Sequence, residues 1–216
     1  MKIPHTFLWT RIGPEGGFDL DQILYWKEMQ RRLSGGEFWW GIGTAPARHK
    51  LDQVLGQKRP KVLFSVQKTQ RHGERRPRLL WTRYIGESGI EKKLPKYALV
   101  TSESSPGRTQ YAIRATSLSP IQRIKTDFDT GLYRHLRGKS DLGQTVTAVL
   151  ERDPVGVAGG PYYDYGFAAD LAGLHVLSRP VELDPNVVRV LDYLVFDRPS
   201  ITEFKATVAT ILKAAD

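Results

Sequence analysis

Residues 37–67 read EFWWGIGTAPARHKLDQVLGQKRPKVLFSVQ, and the reading of this stretch decides the fold class. Glu37 to Ile42 is short, aromatic and apolar, the composition of a strand, and Gly41-Ile42-Gly43-Thr44 ends it. Pro46 to Leu55 has the length and spacing of a short helix. Lys61 to Gln67 alternates, with Val62, Phe64 and Val66 expected on one face of a second strand. Two strands bracketing one short helix, with no regular helix–strand repetition on either side, point to an α+β protein with a mixed or barrel-like sheet.

Working outward on the N-terminal side, His5 to Ile12 reads as a strand closed by the turn run from Gly13 to Gly17. A helix follows, with Asp19 and Gln22 spaced as a capping box and Leu20, Ile23, Leu24 and Leu33 as its apolar face. Gly35 and Gly36 stop it. On the C-terminal side, Leu79 to Ile85, Lys96 to Ser102 and Gln110 to Thr116 are strand candidates, the last two expected to form a hairpin over Ser105-Pro106-Gly107. Ile121 to Leu136 has helical spacing. Leu142 to Leu150 suits a helix or, with its β-branched residues, a strand. A Gly/Tyr-rich loop, Val155 to Tyr165, precedes a strand at Leu174 to Val181. Two helices close the chain over 186–214, the first capped by Asn186 and the second by a Ser200/Glu203 box. The length of 216 residues fits a single domain over 1–216, with 121–170 as additional material.

Charge is the second strong signal. Residues 37–83 hold 11 Lys/Arg against 3 Asp/Glu, net +8, whereas the rest holds 21 against 20, net +1. Self-repulsion of that density favours an anionic partner, and phosphate backbones are the commonest. The chain has no cysteine, which excludes disulfides and thiolate metal sites. No apolar run approaches the roughly 20 residues of a membrane span. Met1 to Ile12 lacks the features of a secretory signal, so a cytoplasmic location without membrane attachment is expected.

Several catalytic readings fail. Gly138-Lys139-Ser140 lacks the glycine spacing of a phosphate loop, because six residues rather than four stand between Gly131 and Gly138. The histidines at 5, 49, 72, 135 and 175 show no paired metal spacing, and no nucleophile elbow exists. No cofactor, metal or catalytic residue is therefore assigned.

Three binding features remain. In the tandem Trp39-Trp40, strand geometry sends neighbouring rings to opposite faces, so one ring can pack while the other lines an opening. Gly41 and Gly43 would let a flat ligand or another backbone approach, with Thr44 beside them. Arg48 and Lys50 add charge at the start of the helix. The second feature is Tyr162, Tyr163 and Tyr165 in the Gly/Tyr-rich loop, suited to a lid over a base. The third is the basic loop over 68–78, in which Lys68, Arg71, Arg75, Arg76 and Arg78 suit phosphate contacts. Each has a plainer reading beside it: packed tryptophans, a surface loop, a solvated basic tip.

The stretches Phe38-Trp39-Trp40-Gly41-Ile42-Gly43-Thr44, Arg48-His49-Lys50-Leu51-Asp52 and Lys61-Val62-Leu63-Phe64-Ser65-Val66 resemble the core of YTH domains. Leu177-Ser178-Arg179-Pro180-Val181-Glu182-Leu183 is similar to the closing element of the related EVE domains. The likeness covers about half the chain and departs from the family between 121 and 170. The resemblance implies a PUA-like fold, a curved or barrel-like mixed sheet flanked by helices. It also implies a non-catalytic module that flips a methylated or hydroxymethylated base into an aromatic cage, with DNA slightly preferred over RNA, acting as a sensor or beside a partner nuclease. Two other classes stay open. One is a nucleic-acid-processing enzyme using Asp127, Asp129, Glu151, Asp153 or Asp164; the other is an adaptor whose basic loop meets an acidic protein.

Overall fold

Apolar strands and a short helix carry the first half of the architecture, and each follows from residues that cannot stay in water. The structure is a computed structural model that describes residues 6–12, 20–67, 80–86, 100–103, 107–121, 133–135, 147–152 and 163–214. These fall into two compact units: one of Met1–Pro14, Thr44–Glu74 and Ala115–Gly173, the other of Glu15–Gly43, Arg75–Arg114 and Leu174–Asp216.

The first unit is built on β1 (Thr6–Ile12), α2 (Arg48–Leu55) and β3 (Lys61–Gln67). β1 and β3 are parallel, in the register Leu8↔Val62, Trp9↔Leu63 and Thr10↔Phe64. β8 (Thr147–Arg152) runs antiparallel to β1 on its other side, and β7 (Tyr133–His135) antiparallel to β8. The first part of β9 (Tyr163–Glu182) lies antiparallel to β3. Phe7, Leu8 and Trp9 are all buried, as are Val62, Leu63 and Phe64 and, across from them, Phe167, Ala168 and Ala169. Burial of consecutive residues means that both faces of these central strands are covered, not only the Val62/Phe64 face that the alternation suggests. Phe64 and Phe167 stack with ring centroids 4.5 Å apart. On the surface of this unit, α2 packs against β1 through buried Leu51 and Val54. Asp170 accepts hydrogen bonds from Lys61 Nζ (2.5 Å) and Ser117 Oγ (2.8 Å), which ties the start of β3 to β9 and to β6 (Tyr111–Ile121). Burial pushes the Asp170 carboxyl up, but those two hydrogen bonds and the Lys61 and Arg59 charges outweigh it and hold it below its usual range.

The second unit contains α1 (Leu20–Leu33), β2 (Glu37–Ile42), β4 (Leu80–Gly86), β5 (Val100–Glu103), α3 (Pro185–Phe196) and α4 (Ile201–Ala214). α1, α3 and α4 share a core of Trp26, Met29, Val187, Leu191, Leu194, Val195 and Phe204. Tyr25 and Trp26 both set their rings against Phe204, at 6.1 and 5.6 Å, and the Tyr25 hydroxyl donates to Pro199 O. β4 lies between β5 and the later part of β9, antiparallel to both. A second cluster, Trp39, Tyr84, Ala112 and Leu177, joins β2, β4, β6 and β9. Gly35 and Gly36 take φ of 77° and 118°, left-handed backbone that frees Gly36 N to donate to Arg31 O and close α1.

The α+β class stands, with a mixed sheet and helices beside it. Among the described residues the strand order β2-β6-β9-β3-β1-β8-β7, with β4 and then β5 branching from β9, does not return on itself, so the sheet is open rather than closed into a barrel. Other expectations are corrected. β5 pairs with β4, not with the strand after Gly107, so the hairpin over 105–107 does not form between those strands. Residues 133–135, expected in a helix, are strand, and β8 takes the strand alternative for its segment. Tyr163 and Tyr165, expected in a loop, lie on a strand of 20 residues that begins there. The cap of α3 is Asp184, whose carboxylate accepts from Asn186 N at 2.7 Å, with Pro185 at the first position; Asn186 is already inside the helix. α4 opens as expected, with Glu203 N donating to Ser200 Oγ.

Candidate nucleic-acid interface

β2 decides what its tryptophans can do. Trp39 is 2% exposed and packs against Tyr84, Ala112 and Leu177. Phe38 is fully buried too, so both faces of the strand are covered at this point. Trp40, one residue on, keeps part of its ring at the surface. Trp39 is thus a core residue, and a base would reach it only by displacing three packed neighbours. Of the four tryptophan side chains described, Trp9, Trp26 and Trp39 are buried and Trp40 alone is not.

Beneath Trp40 lies a cation that the sequence reading passed over. Lys27 of α1 is 7% exposed, and its Nζ sits 5.3 Å from the centroid of the Trp40 ring. The same ammonium donates to Trp39 O at 2.5 Å and to Gln30 Oε1 at 3.3 Å. Gln30 Oε1 also accepts from Trp39 N at 3.4 Å, so one amide oxygen serves helix and strand together. Two oxygens and a π face thus surround Lys27, and no carboxylate among the described residues pairs with it. Burial alone pushes its amine down to about 7. The signal for Lys27 and Gln30 was in the sequence: with Ile23, Trp26 and Leu33 they occupy the inward positions of one helical face. Polar residues in that phase are buried when they find partners, and these did.

Gly41 is partly exposed and Thr44 exposed. At Gly43 a Cβ would stand 2.8 Å from Arg108 O, so the close approach this glycine permits is by the chain's own backbone. Gln110 N donates to Ile42 O beside it, at 3.0 Å. The segment 107–109 is held in turn by Tyr84, whose hydroxyl accepts from Gly107 N and Thr109 N, each at 3.1 Å.

In the other unit, α2 buries Leu51 and Val54 and turns Arg48 and His49 to solvent, with Lys50 partly exposed. Lys58 and Arg59, in the turn after it, are exposed as well, whereas Lys61 is engaged by Asp170. This is the described part of the basic segment. Tyr162, Lys68, Arg71, Arg75, Arg76 and Arg78 lie outside the described residues. Of Tyr163 and Tyr165 the structure gives the backbone, paired with Gln67 and Val66 across a register shift in β3. Among the acidic candidates, Glu151 sits on β8 opposite Thr6 and Arg134, and Asp164 on β9; Asp127, Asp129 and Asp153 fall outside. Among the described residues no group of three His, Asp or Glu side chains is placed to hold a metal ion. Nor is any described helix long and apolar enough to cross a membrane.

No family model, curated protein or solved structure matches the chain.

Proposed function

We propose that this protein is a non-catalytic nucleic-acid-binding module that reads a modified base, methylated or hydroxymethylated, with DNA preferred over RNA. The observation that carries the reading is Trp40, a tryptophan partly exposed on a segment of net charge +8. Exposed tryptophan costs solvation that a stacked base returns, on the order of 1–3 kcal/mol per base. Arg48, Lys50, Lys58 and Arg59 supply charge for phosphates, which position a strand without reading it. The likeness of 38–66 to YTH domains and of 177–183 to EVE domains supports the same reading and its PUA-like fold. The likeness offers Trp39 or Trp40 for base contact; the burial of Trp39 leaves Trp40, to which we add Gly41 and Thr44, with Tyr162, Tyr163 and Tyr165 as further candidates.

The test is a panel of single- and double-stranded oligonucleotides, DNA and RNA, each unmodified, methylated or hydroxymethylated. Binding should weaken with salt, improve with one modification, and fall about 5- to 100-fold in Trp40→Ala. Equal affinity for modified and unmodified strands would remove base reading and leave only a backbone binder. No binding at low salt would refute the proposal as a whole.

A further inference from the structure

We infer that Lys27 is a specificity-determining residue that makes the Trp40 site select neutral modified bases and reject bases whose modification carries a positive charge. The inference deepens the base-reading proposal and rests on it.

The argument starts from the cage around Lys27. Its ammonium lies 5.3 Å from the Trp40 ring centroid and is fixed there by Trp39 O and Gln30 Oε1. Neither oxygen carries a formal charge, and no described carboxylate neutralises the lysine, so its field passes through the ring undiminished by a counter-ion. Lys27 is buried and covers one face of the indole, while Trp40 keeps part of its side chain at the surface; we place the base on the opposite face of that ring. An ordinary aromatic cage favours cationic bases, because the ring's negative face attracts them. Here that attraction is already spent on Lys27. A base plane about 3.5 Å beyond the ring would place a second cation roughly 9 Å from Nζ. At an effective dielectric near 20, the repulsion over that distance is worth on the order of tenfold in affinity. A neutral base, electron-rich at its carbonyl and ring nitrogens, meets no such penalty and gains from a ring whose electron density is drawn toward the lysine.

The buried amine sets when the effect operates. Its value of about 7 means that the charge is largely present at about pH 6 and largely absent at about pH 8. The charged residues on the elements packed against α1 are Glu37 on β2, Arg189 and Asp192 on α3, and Glu203, Lys205 and Lys213 on α4; burial, not these, lowers the amine.

Two isomeric probes test the inference in otherwise identical oligonucleotides: 5-methylcytosine, which is neutral, and 3-methylcytosine, which is cationic at both pH values. Wild type should prefer the neutral isomer by about tenfold more at pH 6 than at pH 8, a comparison that needs no variant. Lys27→Met, checked for folding by its melting curve, should lose that pH-dependent preference, and Lys27→Arg should keep the preference at both pH values. A neutral-to-cationic ratio that is the same at both pH values in wild type overturns the inference, as does an unchanged ratio in folded Lys27→Met. Failure of the underlying reading looks different: Trp40→Ala would then bind both probes as wild type does.

Discussion

Trp39 and Trp40 are neighbours in sequence and opposites in environment, and substitution should separate them. Trp39→Ala opens a cavity among Tyr84, Ala112 and Leu177, and a loss of about 3–5 kcal/mol on denaturant unfolding is expected. Trp40→Ala removes a partly exposed ring and the π face over Lys27, so it should cost far less stability while carrying the loss of binding. Lys27 gives a second prediction. Its amine is about 7 when folded and near the ordinary lysine value of 10.5 when unfolded, so between those values the unfolded chain binds the extra proton. Stability therefore rises with pH through that window, and the cost of the buried charge is fully present below it. Subtracting the pH–stability curve of Lys27→Met from that of wild type should isolate an increase of a few kcal/mol from pH 7 upward. A flat difference would show that Lys27 is not buried in solution. At this scale the sequence identified the tandem tryptophans but not which one packs, because strand alternation says only that they differ. It missed Lys27 because a lysine is read as surface unless its helical phase is checked against its apolar neighbours.

Among the elements, those legible in sequence owe their form to local chemistry. β1, β2, β3 and the two closing helices fall within a few residues of where composition and caps place them, since a Pro185 start or a Ser200 cap acts on its own turn. β7 and the early part of β9 were misread because they exist by pairing with distant strands: Tyr133–His135 against β8, and Tyr163 onward against β3. At 133–135 helical spacing loses to that pairing, a tertiary effect no local window contains. The turn between α3 and α4 supports a third prediction. Arg198 follows the end of α3 with φ of 52°, left-handed backbone at a position where glycine is usual. Arg198→Gly should raise stability by about 0.5–1 kcal/mol in chemical denaturation, the relief of strain exceeding the entropy that glycine adds to the unfolded chain.

For the molecule as a whole, charge distribution sets how it meets a polyanion. If Arg48 and Lys50 each neutralise one phosphate, the double variant Arg48→Ala/Lys50→Ala should flatten the plot of log affinity against log salt by about 1.5–2 units. It should also weaken all sequences alike, leaving the preference for a modified base intact. An unchanged slope would place the phosphate contacts elsewhere, on the basic segment beyond Gln67. The partition into two units has a consequence of another kind. The chain enters each unit three times, at 1–14, 44–74 and 115–173 for one and at 15–43, 75–114 and 174–216 for the other. Strands β6 and β9 each give residues to both. No single cut in the gene releases either unit as a contiguous fragment, and no single recombination event can exchange one for a counterpart from another protein.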